Sequence, residues 1–338
     1  MRVLEIQGAF GLDNLKLAER PEPTPGPGEV VVRMQAVSLN YRDLLTVTGA
    51  YGGAIRLPLI PFSDGAGVIH AVGEGVTRVK VGDRVSSLFF SDTWLSGPPT
   101  LEKLSGSLGG PRDGCGQEFM LISQHGVSKV PDHLDHRQAS TLPCAALTAW
   151  RALVVDGDLK AGDTVVLQGT GGVSIFALQF AKAMGLNTII TSSSDEKLER
   201  AKALGADHTI NYKATPGWAG EVRKLTDGRG ADCVVEVGGA QTLSESLKAV
   251  RIGGHIPIIG LLSGVAETAP IPLLIRSSAR VQGLAVGSRE AFQDMCRAIA
   301  LHRITPVVDQ IFPFPAGRAA LEAMQGQSHF GKIVIEFM

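Results

Sequence analysis

The chain is short of several things that would announce a function. Only four of its 338 residues are cysteine. Cys115, Cys144, Cys233 and Cys296 are scattered with no C-x-x-C pair, which argues against a disulfide framework and for a reducing, cytoplasmic setting. Charge is scarce and balanced, at 19% of residues with a formal net charge of −1. It therefore offers no electrostatic footprint for nucleic acid or an anionic membrane surface. No apolar run approaches the roughly 20 residues needed to span a bilayer. The opening MRVLEIQGAF holds one basic residue and no signal-peptide core. Internal repeats and low-complexity tracts are also lacking.

What the chain does have is glycine, 41 residues of it, and one stretch where glycine stands in a telling order. In TVVLQGTGGVSIFALQFAKAMG, Thr164 to Gln168 is rich in β-branched residues, as a buried strand should be. Gly169, Gly171 and Gly172 follow, and from Val173 to Met184 apolar positions recur at helical spacing. A strand running through such a turn into a helix lets backbone N–H groups and the helix dipole approach a diphosphate. The spacing is that of a dinucleotide fingerprint, with the small Ser174 at the third glycine position.

The length suits two domains of roughly 100–200 residues each. Apolar or alternating stretches at 29–35, 65–72 and 83–90, divided by Gly and Pro turns, suggest a compact and mostly antiparallel domain. From about residue 125 strands alternate with helices. Strands are expected at 164–168, 187–191, 232–237, 255–260 and 280–286, with helices at 173–184, 195–204 and 241–251. Five such strands imply a doubly wound parallel sheet. After Ser288 come a helix (291–302), a strand near Val307, a helix (316–325) and the closing GKIVIEF, which has no sheet of its own and should return to the first domain. Segment 91–114 reads as a long irregular excursion.

Over essentially its whole length the chain resembles the medium-chain dehydrogenase/reductase superfamily. The match is carried by GPGEVVVRMQAVSLNYRD, GAGVIHAVGEGVTRVKVGDRV, LPCAALTAWRAL, the glycine turn, KLERAKALGADHTINY and GKIVI. The resemblance implies an α/β protein in which a GroES-like, mostly antiparallel catalytic domain (1–125 and 288–338) is interrupted by a Rossmann dinucleotide-binding domain (126–287). It also implies an active site in the cleft between them and pairing into a homodimer through the last Rossmann strand.

Zinc members of the superfamily place a Cys, a His and a third Cys or Asp on the metal. The corresponding positions here hold Asn40, Ser63 and Cys144. A single soft ligand cannot hold a catalytic zinc, which needs three protein ligands, so no metal is expected. Without a Lewis acid, reduction of a conjugated C=C is easier than oxidation of an ordinary alcohol, because the enolate needs only a hydrogen-bond donor and a proton. The expected activity is thus that of an NADP(H)-dependent, zinc-free oxidoreductase acting on small apolar quinones or α,β-unsaturated carbonyls. An alcohol dehydrogenase or carbonyl reductase, and an NADPH-binding protein with little catalysis, are the alternatives.

Residue by residue, the acidic position that favours NAD aligns with Ser192, and Lys197 and Tyr212 match contacts to the 2′-phosphate of NADPH. Thr148, Gly169, Gly171, Gly172 and Val173 are expected at the diphosphate. Gly260, Leu261 and Val286 are expected at the nicotinamide. Lys332 is a further cofactor candidate. Asn40 should hydrogen-bond the nicotinamide ribose or the substrate, and Tyr51, in TGAYGG, matches a catalytic tyrosine of enoyl reductases. Arg42 and Asp43 read as an ion pair, and Cys144 as an inert thiol.

Overall fold

The computed structural model describes residues 1–52, 55–264 and 270–337. The chain divides into two compact units, Met1–Leu147 with Val286–Met338, and Thr148–Ala285.

The first unit is built on a seven-stranded sheet. The strand Glu29–Ser38 lies at its centre and pairs antiparallel with Asp64–Val72, Phe119–Ser123 and Lys332–Glu336. The last of these is the closing GKIVIEF, so the tail does return to this sheet. Beyond it Val308–Pro313 pairs in parallel with Lys332–Glu336. On the other side Arg84–Ser87 joins Asp64–Val72, and Val127–Lys129 joins Arg84–Ser87. Residues from both termini share one core, including Val32, Met34, Ile69, Val85, Leu321 and Ile335.

The seam between units lies some twenty residues later than the composition shift near 125. Val127–Lys129 is paired into the first sheet. Ser86 Oγ reaches the Ala139 carbonyl at 3.3 Å, and the Cys144 N–H donates to Asp64 at 2.9 Å. These bonds tie 126–147 to the first unit.

The second unit carries a six-stranded, wholly parallel sheet in the order His208–Asn211, Asn187–Ser192, Thr164–Gln168, Ala231–Val235, Val250–Ile258, Arg280–Gly283. The order reverses beside Thr164–Gln168, so the carboxyl end of that strand is the topological switch point where such sheets bind ligands. Val166, Ile189, Val234 and Ile256 are fully or almost fully buried between the helices. No helix among the described residues is long and apolar enough to cross a membrane.

Candidate active site and dinucleotide cradle

At the switch point the strand ends at Gln168 and the helix Gly172–Ala183 begins after three residues. Gly169 takes φ +69°, which a side chain rarely adopts. At Gly171 a Cβ would point into open space, with nothing within 4 Å. That open space is what a diphosphate needs, and no side chain caps the helix N-terminus below it. Gly172 and Val173 open the helix there. Ser174, at the third glycine position, turns its hydroxyl back to donate to the Gln168 carbonyl at 2.6 Å. Thr148 is buried in the second unit.

Beside this turn, Ser192 ends its strand and is buried, its Oγ accepting the Ser194 N–H at 3.3 Å. The Tyr212 N–H donates to the Ser192 carbonyl at 3.1 Å, so these two residues are brought together, and the Tyr212 ring is exposed. Lys197 lies in the first turn of the helix Asp195–Ala203. Asp195 opens the helix that follows, and Asn211 Nδ2 donates to it at 2.7 Å. Gly260 passes so close to the neighbouring strand end that a Cβ would fall 2.4 Å from the Val237 carbonyl. Leu261 beside it is exposed. Val286 is buried and holds φ +31°, a strained conformation for a β-branched residue.

Sequence reasoning missed Glu236. It is fully buried, yet Gln168 Nε2 (2.8 Å), Thr242 Oγ1, Ser246 Oγ and the N–H groups of Gly238 and Gly239 all donate to it. Gln168 Oε1 in turn accepts from the Val237 and Gly238 N–H groups. This network fixes the carboxyl ends of two central strands at the switch point. The available signal was an acid inside the apolar run ADCVVEVGG.

The first unit holds a second buried polar cluster. Asn40 caps the helix Tyr41–Thr48, and its N–H donates to Asp43 at 2.8 Å. Leu39 N–H pairs with the Ile333 carbonyl at 3.0 Å, which places Lys332 against Asn40. The Lys332 ammonium is buried and donates to the Leu39 carbonyl and, at 2.7 Å, to Asn40 Oδ1. Asn40 Nδ2 donates to Ser63 Oγ at 3.2 Å, and Ser63 Oγ donates to Asp64 at 2.7 Å. Burial raises the pKa of Asp64 to about 6 and pushes Asp43 up as well, while it lowers that of Lys332. Lys332, expected among the cofactor contacts, thus spends two of its three donors inside the first unit.

Arg42 and Asp43 do form an ion pair, at 3.3 Å. The guanidinium also binds the carbonyls of Leu108 (2.7 Å) and Gly110 (2.9 Å). The Tyr51 ring lies over it at 4.6 Å and is 44% exposed. Phe89, Phe90 and Trp94 are buried against one another as core.

Comparison with known proteins places these features in one class, an oxidoreductase of two units. Residues 26–132 match the alcohol dehydrogenase GroES-like domain, and residues 172–300 match the zinc-binding dehydrogenase family. A zinc-type alcohol dehydrogenase-like protein of Schizosaccharomyces pombe is 44% identical over 96% of each chain. A crystal structure of an NAD-dependent alcohol dehydrogenase superposes with TM-score 0.90 at 34% identity, covering 99% of both chains. A mycobacterial protein complexed with NADPH superposes with TM-score 0.83 at 27% identity, again over 99% of both. The chain belongs to the medium-chain dehydrogenase/reductase superfamily.

The zinc that the family description implies does not fit the residues present. The Asn40 carbonyl oxygen is engaged by an ammonium ion and Ser63 Oγ donates to Asp64. Burial pushes the Cys144 and Cys115 thiols up, and Cys144 is the single soft ligand among the three positions. Among the described residues no group of three or more His, Cys, Asp or Glu could hold a metal ion.

Proposed function

We propose that this protein is an NADPH-dependent, metal-independent reductase of small apolar quinones or α,β-unsaturated carbonyl compounds. The observation that carries the reading is the run of hydrogen bonds from Lys332 through Asn40 and Ser63 to Asp64, at the positions where zinc relatives hold their metal. A site without a Lewis acid suits a substrate whose developing charge a hydrogen-bond donor can hold. The open glycine cradle supports dinucleotide binding, and Ser192 in place of an acid, with Lys197 and Tyr212 nearby, favours the 2′-phosphate of NADPH.

When bound, the nicotinamide supplies a hydride. As the β-carbon accepts that pair of electrons, the C=C π pair moves through the α-carbon to the carbonyl oxygen, giving an enolate. Asn40 donates a hydrogen bond to that oxygen. The Tyr51 phenol gives its proton to the α-carbon and is reprotonated from water, completing a saturated carbonyl product. The strand Arg280–Gly283, at one end of its sheet, is the proposed seat of a homodimer.

The names of the relatives favour a second reading, an alcohol dehydrogenase using NAD. The deciding experiment follows NADPH oxidation by metal-stripped protein with a panel of quinones and enones. Turnover without metal is expected. Activity lost on stripping and regained with zinc, accompanied by NAD-linked oxidation of simple alcohols, would sink the proposal in favour of the second reading.

A further inference from the structure

We infer that the Lys332 ammonium is the resident cation of the first unit's polar cluster and that it makes Asn40 the donor holding the substrate's oxygen. The inference rests on the proposed reaction for its second half; the first half stands on geometry alone.

Two carboxylates, Asp43 and Asp64, are fully buried in this cluster. Buried charges persist only when paired. Arg42 answers Asp43, and its two terminal nitrogens also donate to the Leu108 and Gly110 carbonyls, while its Nε is buried without a partner. Lys332 is the cluster's other buried cation; its hydrogen bonds go to Leu39 and Asn40, and its charge acts on Asp64 through space. The ammonium already sits on the Asn40 carbonyl oxygen, so a metal ion taking that oxygen would have to displace it.

The ammonium also settles which way the Asn40 amide points. Lysine can only donate, so the oxygen of Asn40 faces Lys332 and its nitrogen faces Ser63. Ser63 in turn accepts from Asn40 and donates to Asp64. Every donor in the run from Lys332 to Asp64 therefore points the same way, and such chains polarise their members. A cation on the oxygen of Asn40 withdraws charge from its nitrogen. Ser63 and the Asp64 carboxyl both draw on that nitrogen's hydrogens, and the hydrogen bond it gives a substrate oxygen is strengthened by the ammonium. In this way a fixed lysine acts through an amide where a relative would use a metal. Lys332 is thus a positioning residue for Asn40.

Two measurements test this. Thermal unfolding needs no substrate: Lys332→Met leaves Asp64 buried without its cation and is expected to lower the Tm by several degrees, and Asp64→Asn in the same chain is expected to restore most of that loss. A Lys332→Met protein as stable as the wild type, or a loss that Asp64→Asn does not restore, overturns the inference. The second is a double-mutant cycle on whichever acceptor the wild type turns over. Asn40→Ala and Lys332→Ala should each lower kcat by about 100-fold, with the double variant no slower than Asn40→Ala alone, NADPH affinity unchanged and partial recovery in Lys332→Arg. Losses that multiply in the double variant, or an undiminished Lys332→Ala, overturn the second half. If Lys332→Ala does not fold, Lys332→Met with Asp64→Asn removes both charges together and takes its place in the cycle. A wild type that reduces no quinone or enone defeats the proposed reaction, while the stability comparison still decides the resident cation.

Discussion

The Ser174 hydroxyl donates to the Gln168 carbonyl at 2.6 Å, tying the first turn of the dinucleotide helix to the strand that precedes it. Ser174 stands where the fingerprint has its third glycine, and the bond turns a side chain into a fastening across that close contact. Ser174→Ala should cost about 1 kcal/mol in urea unfolding of the second unit and leave NADPH binding nearly intact. Ser174→Val lacks the hydroxyl and adds bulk where helix and strand meet. It should weaken NADPH binding measurably by fluorescence titration.

Glu236 accepts hydrogen bonds from three side chains and two backbone N–H groups while fully buried. Replacing it with glutamine turns one acceptor oxygen into a donor facing other donors. Glu236→Gln should destabilise the second unit by about 2–3 kcal/mol, a fall of about 1 M in urea midpoint. A midpoint within error of the wild type would show that the network contributes nothing net.

Ser192 ends its strand next to the Tyr212 backbone, and the nearest acid after it in the chain, Asp195, opens the following helix and accepts from Asn211. Ser192→Asp should therefore place a negative charge against the 2′-phosphate and hydrogen-bond acceptors against the ribose hydroxyls of NADH. The ratio of kcat/KM for NADPH over NADH should fall by about 100-fold. Lys197→Ala should move the same ratio in the same direction by about tenfold, through loss of one charge-assisted contact.

The sequence was most legible where local signals agreed. The β-branched run at 164–168, the glycine turn and the helical period after it met the structure within a residue or two. The strand His208–Asn211 went unread because HTIN is short and polar, with only Ile210 buried. The helix Trp218–Leu225 has no side-chain cap to announce it. The helix expected over 241–251 stops at Ala249, since Val250 already pairs with Ala231 in the sheet. In the site, the resemblance flagged Asn40 and Lys332 as separate contacts. That they bind each other depends on the closing strand lying beside Leu39, a long-range pairing that no local pattern records. Asp64 and Glu236 were overlooked for the same reason: a lone acid in an apolar run reveals its partners only once the sheet is assembled.

Asp232 gives a pH test of the second unit. Burial alone would raise its pKa, but hydrogen bonds from Arg229, the Thr164 N–H and Arg251 together hold it below the usual carboxylate range. A carboxyl depressed in the folded state binds fewer protons there than in the unfolded chain. Its stabilisation is therefore fully present above the unfolded pKa and is lost as pH falls through the folded one. Asp232→Asn should be less stable than wild type at pH 7, and the gap should begin to close below about pH 5 and go on closing as pH falls through the depressed folded pKa. A gap that stays constant with pH would assign the loss to packing instead.

Tyr51 separates catalysis from packing with a single atom. Its ring lies 4.6 Å from the Arg42 guanidinium, which is itself fixed by Asp43 and two loop carbonyls. Tyr51→Phe keeps that stacking and removes only the hydroxyl. If the phenol gives the proton, kcat for an enone should fall by about 100-fold, with NADPH affinity and thermal stability unchanged. A quinone takes its protons on oxygens that water reaches easily, so its reduction should fall much less. Equal losses on both substrates would point to a disturbed site, and no loss on either would leave Tyr51 as a lid over Arg42 with water as the donor.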